Sequence, residues 1–453
     1  MKQKKKYNIV LMVSDDHGRE SLGCYGNPAI DTPHLDALAA DGTRFTNAFC
    51  TSASSSPSRS AILTGIHNHT NGTYGLSHAQ HHFSCFDSVV SLPARMQSAG
   101  YRTGRAGKKH FSPENLFPFD FNLPENHLDR NDIALAEACR EFISGGEPFF
   151  LYWCSFNPHR CVNVDESSPY KPNRFGNPAE AYPGDTERFY TADEVIVPPF
   201  LSDLPEVRAE LAQYYQSISR LDRGIGRLIE ILKEEGKYDD TLIIYISDNG
   251  AAFPASKTTL YDPGMQLPCI VKAPQQKETG IACDALVSWV DLTPTILDFA
   301  GALPEDSKEF HGMSFRNIIE ETSPENWREE VFAAHTFHEV TNYYPMRIIR
   351  SKKYKFIWNI AHPLTYPSST DLWHSASWQA AIQGGHETFG VRKVNDYLHR
   401  PRFELYNLEN DPDEINNLAG DPEYAEQVAE YCEKLKAFQT ETSDPWRHKW
   451  IYE

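Results

Sequence analysis

Tyr7-Asn8-Ile9-Val10-Leu11-Met12-Val13-Ser14-Asp15-Asp16-His17-Gly18 begins as an unbroken apolar run and ends in acids and a glycine. A short run without polar alternation reads as a strand buried on both faces, and such strands belong to parallel sheets covered by helices on each side. Sheets of that kind gather ligands at the carboxyl ends of their strands, where Asp15 and Asp16 fall. The pattern returns twice. Thr241-Leu242-Ile243-Ile244-Tyr245-Ile246 runs into Ser247-Asp248-Asn249-Gly250, and Pro148-Phe149-Phe150-Leu151-Tyr152-Trp153 leads to Asn157-Pro158-His159-Arg160. Between these strands, Thr32 with Pro33 marks a helix start, residues 91–98 read as a second helix, and residues 206–235 as a long amphipathic one. Strands alternating with helices predict an α/β fold, a large and mostly parallel sheet sandwiched by helices.

Further along, residues 161–200 are rich in Pro, Tyr, Asp and Asn and lack periodicity, which predicts a long irregular excursion. A capped helix is expected over residues 290–297 and a polar linker over 303–330. Short strands at 347–350, 355–358 and 403–406 and a helix at 422–440 then predict a smaller α+β unit with an antiparallel sheet. The expected division is residues 1–326 and 327–453.

The chain has 453 residues, 40% hydrophobic and 23% charged, which excludes a disordered, collagenous or coiled-coil protein. Lys+Arg number 43 against 62 Asp+Glu, a formal charge of −19, so no global positive field draws in nucleic acid or an anionic membrane, and an anionic substrate needs a local pocket. No apolar run approaches the roughly 20 residues of a membrane span. Met1-Lys2-Gln3-Lys4-Lys5-Lys6 resembles the basic start of an export signal, but the apolar stretch after it is short and runs into Asp15 without a cleavage site. The expectation is a cytoplasmic protein as the chain stands, periplasmic or secreted if a leader was removed. The 9 cysteines form no CxxC pairs and predict reduced thiols.

Two constellations carry chemistry. Asp15, Asp16, Asp248 and Asn249 each follow a buried strand, and their oxygens converging at one sheet edge would suit a hard cation, Ca²⁺ or Mg²⁺. Each pair alone also reads as turn chemistry. Ser55-Ser56-Pro57-Ser58-Arg59-Ser60-Ala61-Ile62-Leu63-Thr64-Gly65 opens a helix, with Ser55 near free backbone N–H groups and Arg59 one turn on, a place for a tetrahedral anion. Its plain alternative is a serine-rich cap. His67, His69, His78, His81 and His82 are too loosely spaced, and lack a cysteine partner, for a zinc site.

The second segment resembles the signature of the type I sulfatases, (Cys or Ser)-x-Pro-Ser-Arg-x-x-x-Leu-Thr-Gly, at every fixed position. Further family landmarks follow in order: Asp15-Asp16, Gly107-Lys108-Lys109-His110, Pro158-His159, Asp248-Asn249-Gly250, Lys257 with Tyr261, and Glu404-Leu405-Tyr406-Asn407-Leu408. Asn71-Gly72-Thr73-Tyr74-Gly75-Leu76, His81-His82-Phe83, Asn157-Pro158-His159-Arg160-Cys161, His338-Glu339-Val340-Thr341 and Asp444-Pro445-Trp446 look closer to its sulfamidase branch, the heparan N-sulfatases. Two positions depart from that branch: Ser55 stands where its animal members have Cys, and Lys257 where they have Arg.

The resemblance implies an alkaline-phosphatase-like fold and an enzyme that hydrolyses the N-linked sulfate of terminal N-sulfoglucosamine in heparan sulfate or heparin fragments. Its implied cofactors are Ca²⁺, with Mg²⁺ as the alternative, held by Asp15, Asp16, Ser55, Asp248 and Asn249, and a formylglycine made from Ser55, or from a Cys that Ser55 replaces. Implied catalytic residues are Ser55, Arg59, Lys108, His110, His159 and Lys257. His82, His338, Glu339 and Arg347 fall near its sugar pocket, with subdomain packing and ion pairing as the alternative role. Implied partners are a sulfated glucosamine-containing oligosaccharide and a formylglycine-generating maturase, with neither nucleic acid nor membrane; a homodimer is compatible. An O-sulfatase on another sugar, and a phosphomonoester or phosphonate hydrolase using Ser55 directly, are the rival readings.

Overall fold

The apolar run at residues 8–14 is the middle of a large sheet. The structure, a computed structural model, describes residues 5–124, 130–146, 148–161 and 173–451. Its main sheet comprises β1 (Asn8–Ser14), β2 (Thr43–Phe49), β3 (Arg102–Gly107), β4 (Phe121–Leu123), β5 (Phe149–Cys154), β6 (Thr241–Ser247), β7 (Cys269–Lys272) and β8 (Ile281–Ser288), in the order β4-β3-β5-β1-β6-β7-β2-β8. β7 runs antiparallel to both neighbours, and the remaining pairs are parallel. Ile9 pairs with Phe150 on one side and Leu242 on the other, so β1 is flanked by the two other apolar runs.

Alternation along β1 sends Ile9, Leu11 and Val13 to one face and Val10 and Met12 to the other. Leu221, Ile225, Leu228, Ile231 and Leu232 of the helix Pro205–Glu234 cover the second face. The helices Ser55–Ile62, Leu92–Ser98 and Leu292–Phe299 cover the first, through Ile62, Met96 and Ile296 among others. Each such fully buried side chain stabilises the fold by about 1.5–3 kcal/mol.

A second, antiparallel sheet follows, β9 (Glu330–Phe337), β10 (Tyr343–Ser351), β11 (Tyr354–Asn359) and β14 (Phe403–Asn407), in the order β14-β11-β10-β9. The ribbon β12 (Thr388–Phe389) and β13 (Arg392–Lys393) lies between β11 and β14 in the chain. On one face Tyr431 and Leu435 of the helix Ala425–Glu441 pack on Ile349, Phe356, Trp358 and Leu405. On the other, Met346, Ile348 and Ile357 join the core beneath the large sheet, so both sheets share one apolar cluster.

Where helix 290–297 is expected, a 3₁₀ turn at Trp289–Asp291 with a Ser288/Asp291 capping box precedes the α-helix. The stretch 173–204 contains no helix or strand, as its composition predicts, while residues 162–172 of that excursion and residues 1–4 of the basic start lie outside the described residues. The helices Thr370–Trp373, Ala376–Gln383 and Val394–Leu398 have no counterpart in the sequence reading. Among the described residues no helix is long and apolar enough to cross a membrane.

Candidate active site

Parallel pairing in register, Ser14 against Ser247, makes β1 and β6 end side by side, so their acidic pairs emerge together. Asp15, Asp16, Asp248 and Asn249 are all fully buried. The Asp16 N–H donates to Asp248 Oδ1 at 3.1 Å, and Asn249 Nδ2 donates to Asp16 Oδ1 at 2.6 Å and to Asp248 Oδ1 at 2.9 Å. Gly250 is required after them: a Cβ there would lie 2.0 Å from the Pro263 carbonyl oxygen.

Basic side chains answer these carboxylates. Arg59 Nε meets Asp248 Oδ2 at 2.9 Å, Lys108 Nζ meets Asp15 Oδ2 at 2.5 Å, and Lys257 Nζ meets Asp16 Oδ2 at 2.8 Å. Burial alone would raise the Asp15 carboxyl, but Lys108, His159 and Arg59 hold it below its usual range. The Lys257 ammonium likewise stays charged: burial opposes the charge, and Asp16, Asp371 and Asp15 outweigh burial.

Ser55 opens the helix Ser55–Ile62 beside this cluster. Its hydroxyl donates to Asp15 Oδ1 at 3.3 Å and lies 3.3 Å from Lys108 Nζ. It is 2% exposed, on the floor of a cavity of about 490 Å³ that Lys108, His110 and His159 also line. His159 Nδ1 donates to the Arg160 carbonyl at 2.5 Å, which leaves Nε2 as the acceptor facing Lys257 Nζ at 3.1 Å. Burial, followed by Lys257, lowers the His159 pKa; burial and Lys108 hold His110 well below its ordinary value, so both rings are neutral near pH 7. His110 stacks on His78 at 4.3 Å, and its Nδ1 has no hydrogen-bond partner among the described residues.

The donor set fits a hard divalent cation. Asn249 Oδ1 is buried without a partner among the described residues, while its amide nitrogen points between two carboxylates. Rotating that amide by half a turn would present the oxygen instead, completing an all-oxygen set with Asp15, Asp16 and Asp248. Ligand atoms of Asp15, Asp16 and His159 lie within 4.8 Å of one another, but His159 Nε2 is already engaged by Lys257.

The substrate-side expectations divide. His338 and Glu339 line the cavity; His338 Nδ1 is 2.9 Å from Ser54 Oγ, and the Glu339 carboxylate accepts from Thr370 N and Oγ1 at 3.0 and 2.9 Å. His82 is exposed and outside the lining, whereas His78 and its neighbour His81 take part in it. Arg347 takes the alternative, ion-pairing role. Its Nε and Nη2 meet Asp444 Oδ2 and Oδ1 at 2.6 and 2.9 Å with both side chains fully buried, so its planar fork is spent on a structural pair.

Arg347→Ala therefore strands a buried carboxylate and is expected to cost about 3–5 kcal/mol in chemical denaturation at pH 7. Burial raises the Asp444 carboxyl, but Arg347 more than reverses this, so the folded value lies below the unfolded one. The pair's contribution is then present above the unfolded value of about 3.9 and lost as pH falls through the folded one, so the gap between variant and parent narrows in acid.

Sequence reasoning missed Asp371. It lines the cavity, and its Oδ2 lies 2.6 Å from Lys257 Nζ. Burial would raise its carboxyl, yet Lys257, His338 and His159 hold it well below the ordinary range.

The comparisons with known proteins agree with this geometry. The sulfatase family model matches residues 7–302, and a model described as N-sulphoglucosamine sulphohydrolase, C-terminal, matches residues 255–368. Human N-sulphoglucosamine sulphohydrolase is 38% identical over 97% of this chain and 91% of its own length. An ulvan-active sulfatase of Formosa agariphila is 29% identical over 93% of this chain and 77% of its own. Among solved structures, a protein in complex with its substrate D-glucosamine-2-N,6-O-disulfate superposes with a TM-score of 0.69 at 21% identity, covering 97% of this chain and 99% of that one, which establishes the shared fold. With acids, basic groups and Ser55 gathered at one edge of the sheet, and with these matches running along nearly its whole length, the chain belongs to the sulfatase family.

Proposed function

We propose that the protein removes the N-linked sulfate from terminal N-sulfoglucosamine of heparan sulfate or heparin fragments, with Ser55 oxidised to formylglycine by a maturase and Ca²⁺ or Mg²⁺ held by Asp15, Asp16, Asp248, Asn249 and residue 55. The observation that carries this reading is Ser55 itself, on a cavity floor between Asp15 and Lys108. The substrate class is supported by the 38% identity to the human sulphohydrolase and by the C-terminal model named for that enzyme.

A divalent cation there supplies a Lewis acid for a sulfate oxygen. Formylglycine at position 55 supplies a hydrated aldehyde, whose second hydroxyl serine lacks. The chain's own residues do the rest. Lys108 neutralises the sulfate charge from the cavity lining and Arg59 adds positive charge from its buried place against Asp248, a preorganised field for charge that grows in the transition state. Lys108 also orients the oxygen at residue 55. The nitrogen–sulfur bond breaks as an oxygen–sulfur bond forms, and the leaving nitrogen takes a proton. His159 serves that proton: Nδ1 is pinned to the Arg160 carbonyl, which fixes the ring with Nε2 towards Lys257 and the cavity, and the partly exposed ring relays a proton from solvent to the leaving nitrogen while Lys257 stays charged, help worth about 10²–10⁴ in rate. His110, with a free Nδ1 at the cavity wall, is placed to hydrogen-bond the group at residue 55. His338, Glu339 and Asp371, the last ion-paired to the buried Lys257, close the side from which the sugar leaves.

Peptide mass spectrometry of protein co-expressed with a Ser-type maturase, together with sulfate release from N-sulfoglucosamine and from 6-O-sulfated glucosamine, tests this. Loss of two hydrogens at Ser55 with release from the N-sulfated sugar alone is the expected result. Release from the O-sulfated sugar alone would replace it with the O-sulfatase reading, and an unmodified Ser55 with no turnover would refute the nucleophile.

A further inference from the structure

The cavity is lined beside Ser55 by Asp15 and Lys108, and the C-terminal segment contributes the carboxylates of Glu339 and Asp371, with Lys257 buried behind Asp371 and ion-paired to it. Glu339 accepts from the Thr370 N–H and hydroxyl. Asp371 stands closer to the reacting groups, in contact with the Lys257 ammonium that also meets His159. Its Oδ1 accepts from Ser369 Oγ at 2.6 Å and from the Leu372 N–H at 2.8 Å, whereas Oδ2 accepts from Lys257 Nζ at 2.6 Å. An ionised carboxylate has about four lone-pair sites, so Oδ2 retains room for one more donor.

The segment holding Asp371 is fixed in place. Glu210, on the helix Pro205–Glu234, accepts from both Arg160 Nη1 and Nη2 at 2.7 and 2.8 Å. The same carboxylate accepts from the Ala376 and Ser377 N–H groups at 2.9 and 3.0 Å. Arg160 follows His159 in the chain, so one buried ion pair ties the histidine's strand end to the segment after Asp371. The Asp371 carboxylate thus stands beside the Lys257–His159 pair by construction.

On this basis, which rests on the N-sulfatase reading, we propose that Asp371 is a specificity-determining residue that selects a nitrogen leaving group over an oxygen one. A sulfamate nitrogen carries an N–H that can donate to Oδ2, whereas the bridging oxygen of a sulfate ester has only lone pairs to set against the carboxylate. After cleavage the contrast widens. The nitrogen takes one proton to leave as an amine and a second from solvent to become an ammonium, which Asp371 attracts; an alcohol product stays neutral.

The test uses Ca²⁺-loaded protein and two readouts. In the first, matured parent and Asp371→Asn are compared on N-sulfoglucosamine and on 6-O-sulfated glucosamine. The ratio of kcat/KM for N- over O-sulfate is expected to fall about 30-fold in the variant, the worth of one charge-assisted hydrogen bond. An equal loss on both sugars would overturn the proposal, since it would mean only that Lys257 is misplaced. In the second, glucosamine and N-acetylglucosamine are titrated into the parent by calorimetry at a pH where the amine is protonated. Glucosamine is expected to bind about tenfold tighter, an advantage that Asp371→Asn should abolish. Equal binding by the parent overturns the proposal even if the variant does not fold. Parent enzyme that releases sulfate from the O-sulfated sugar alone defeats the N-sulfatase reading, whereas parent activity on the N-sulfated sugar with an unchanged ratio in the variant defeats the role of Asp371 alone.

Discussion

Ser55→Ala will abolish sulfate release, with kcat falling by about 10⁵ or more, the scale on which enzymes lose rate when a nucleophile is deleted. Alanine takes away the oxygen that stands 3.3 Å from both Asp15 Oδ1 and Lys108 Nζ at the cavity floor. The loss should be purely chemical. Ser55 lies at the start of its helix, and alanine removes one oxygen without adding volume, so Tm should stay within a few degrees of the parent. Ser55→Cys separates the oxidised from the unoxidised reading. Co-expressed with a Cys-type maturase it is expected to acquire the aldehyde, read as a mass change at that peptide, and to recover activity. If Ser55→Ala retained more than a few per cent of parental turnover, residue 55 would not be the nucleophile.

The second large effect is at the cation site. Asp248→Asn is expected to lower kcat/KM at least about 10³-fold, because a Lewis acid is worth several kcal/mol of transition-state charge stabilisation. Asp248 accepts from Arg59, from the Asp16 N–H and from Asn249, so the change weakens the binding of both the cation and the arginine. Thermal melts report it independently of turnover. A ligand bound to the native state at 100 times its Kd stabilises by about 2.7 kcal/mol, so Ca²⁺ should raise the parental Tm and leave the variant's unchanged. Chelation should silence the parent reversibly. Full activity in excess chelator would remove the cation from the mechanism.

The parts of this site that the sequence made legible are those set by strands. β1, β5 and β6 are apolar on both faces, and their ends must place Asp15, Asp16, His159, Asp248 and Asn249 on one edge of the sheet. β3, Arg102-Thr103-Gly104-Arg105-Ala106-Gly107, carries no such signal, because its place depends on backbone pairing with β4 and β5 rather than on side chains. β7 spans only Cys269–Lys272, too short for any periodicity. The sugar side was less legible still. Asp371 meets Lys257 across 114 positions, from a segment whose serines and threonine advertise only a helix start. Positive φ at Ala79 and His82 turns the histidine-rich stretch so that His78 and His81 face the cavity and His82 does not. For Arg347 the choice between sugar pocket and ion pairing is decided only when Asp444, 97 positions away, is seen against it.

The place of β1 in the sheet bears on how the chain is made. Its neighbours are β5, through Ile9 with Phe150, and β6, through Ile9 with Leu242. On a ribosome adding about 5–20 residues per second, this apolar strand waits many seconds for its first partner and longer for its second. Throughout that interval it is an unpaired edge rich in Ile, Val, Leu and Met, a template on which another nascent chain can pair. Yield in cells should therefore be governed by chaperone supply and translation speed more than by the stability of the finished fold.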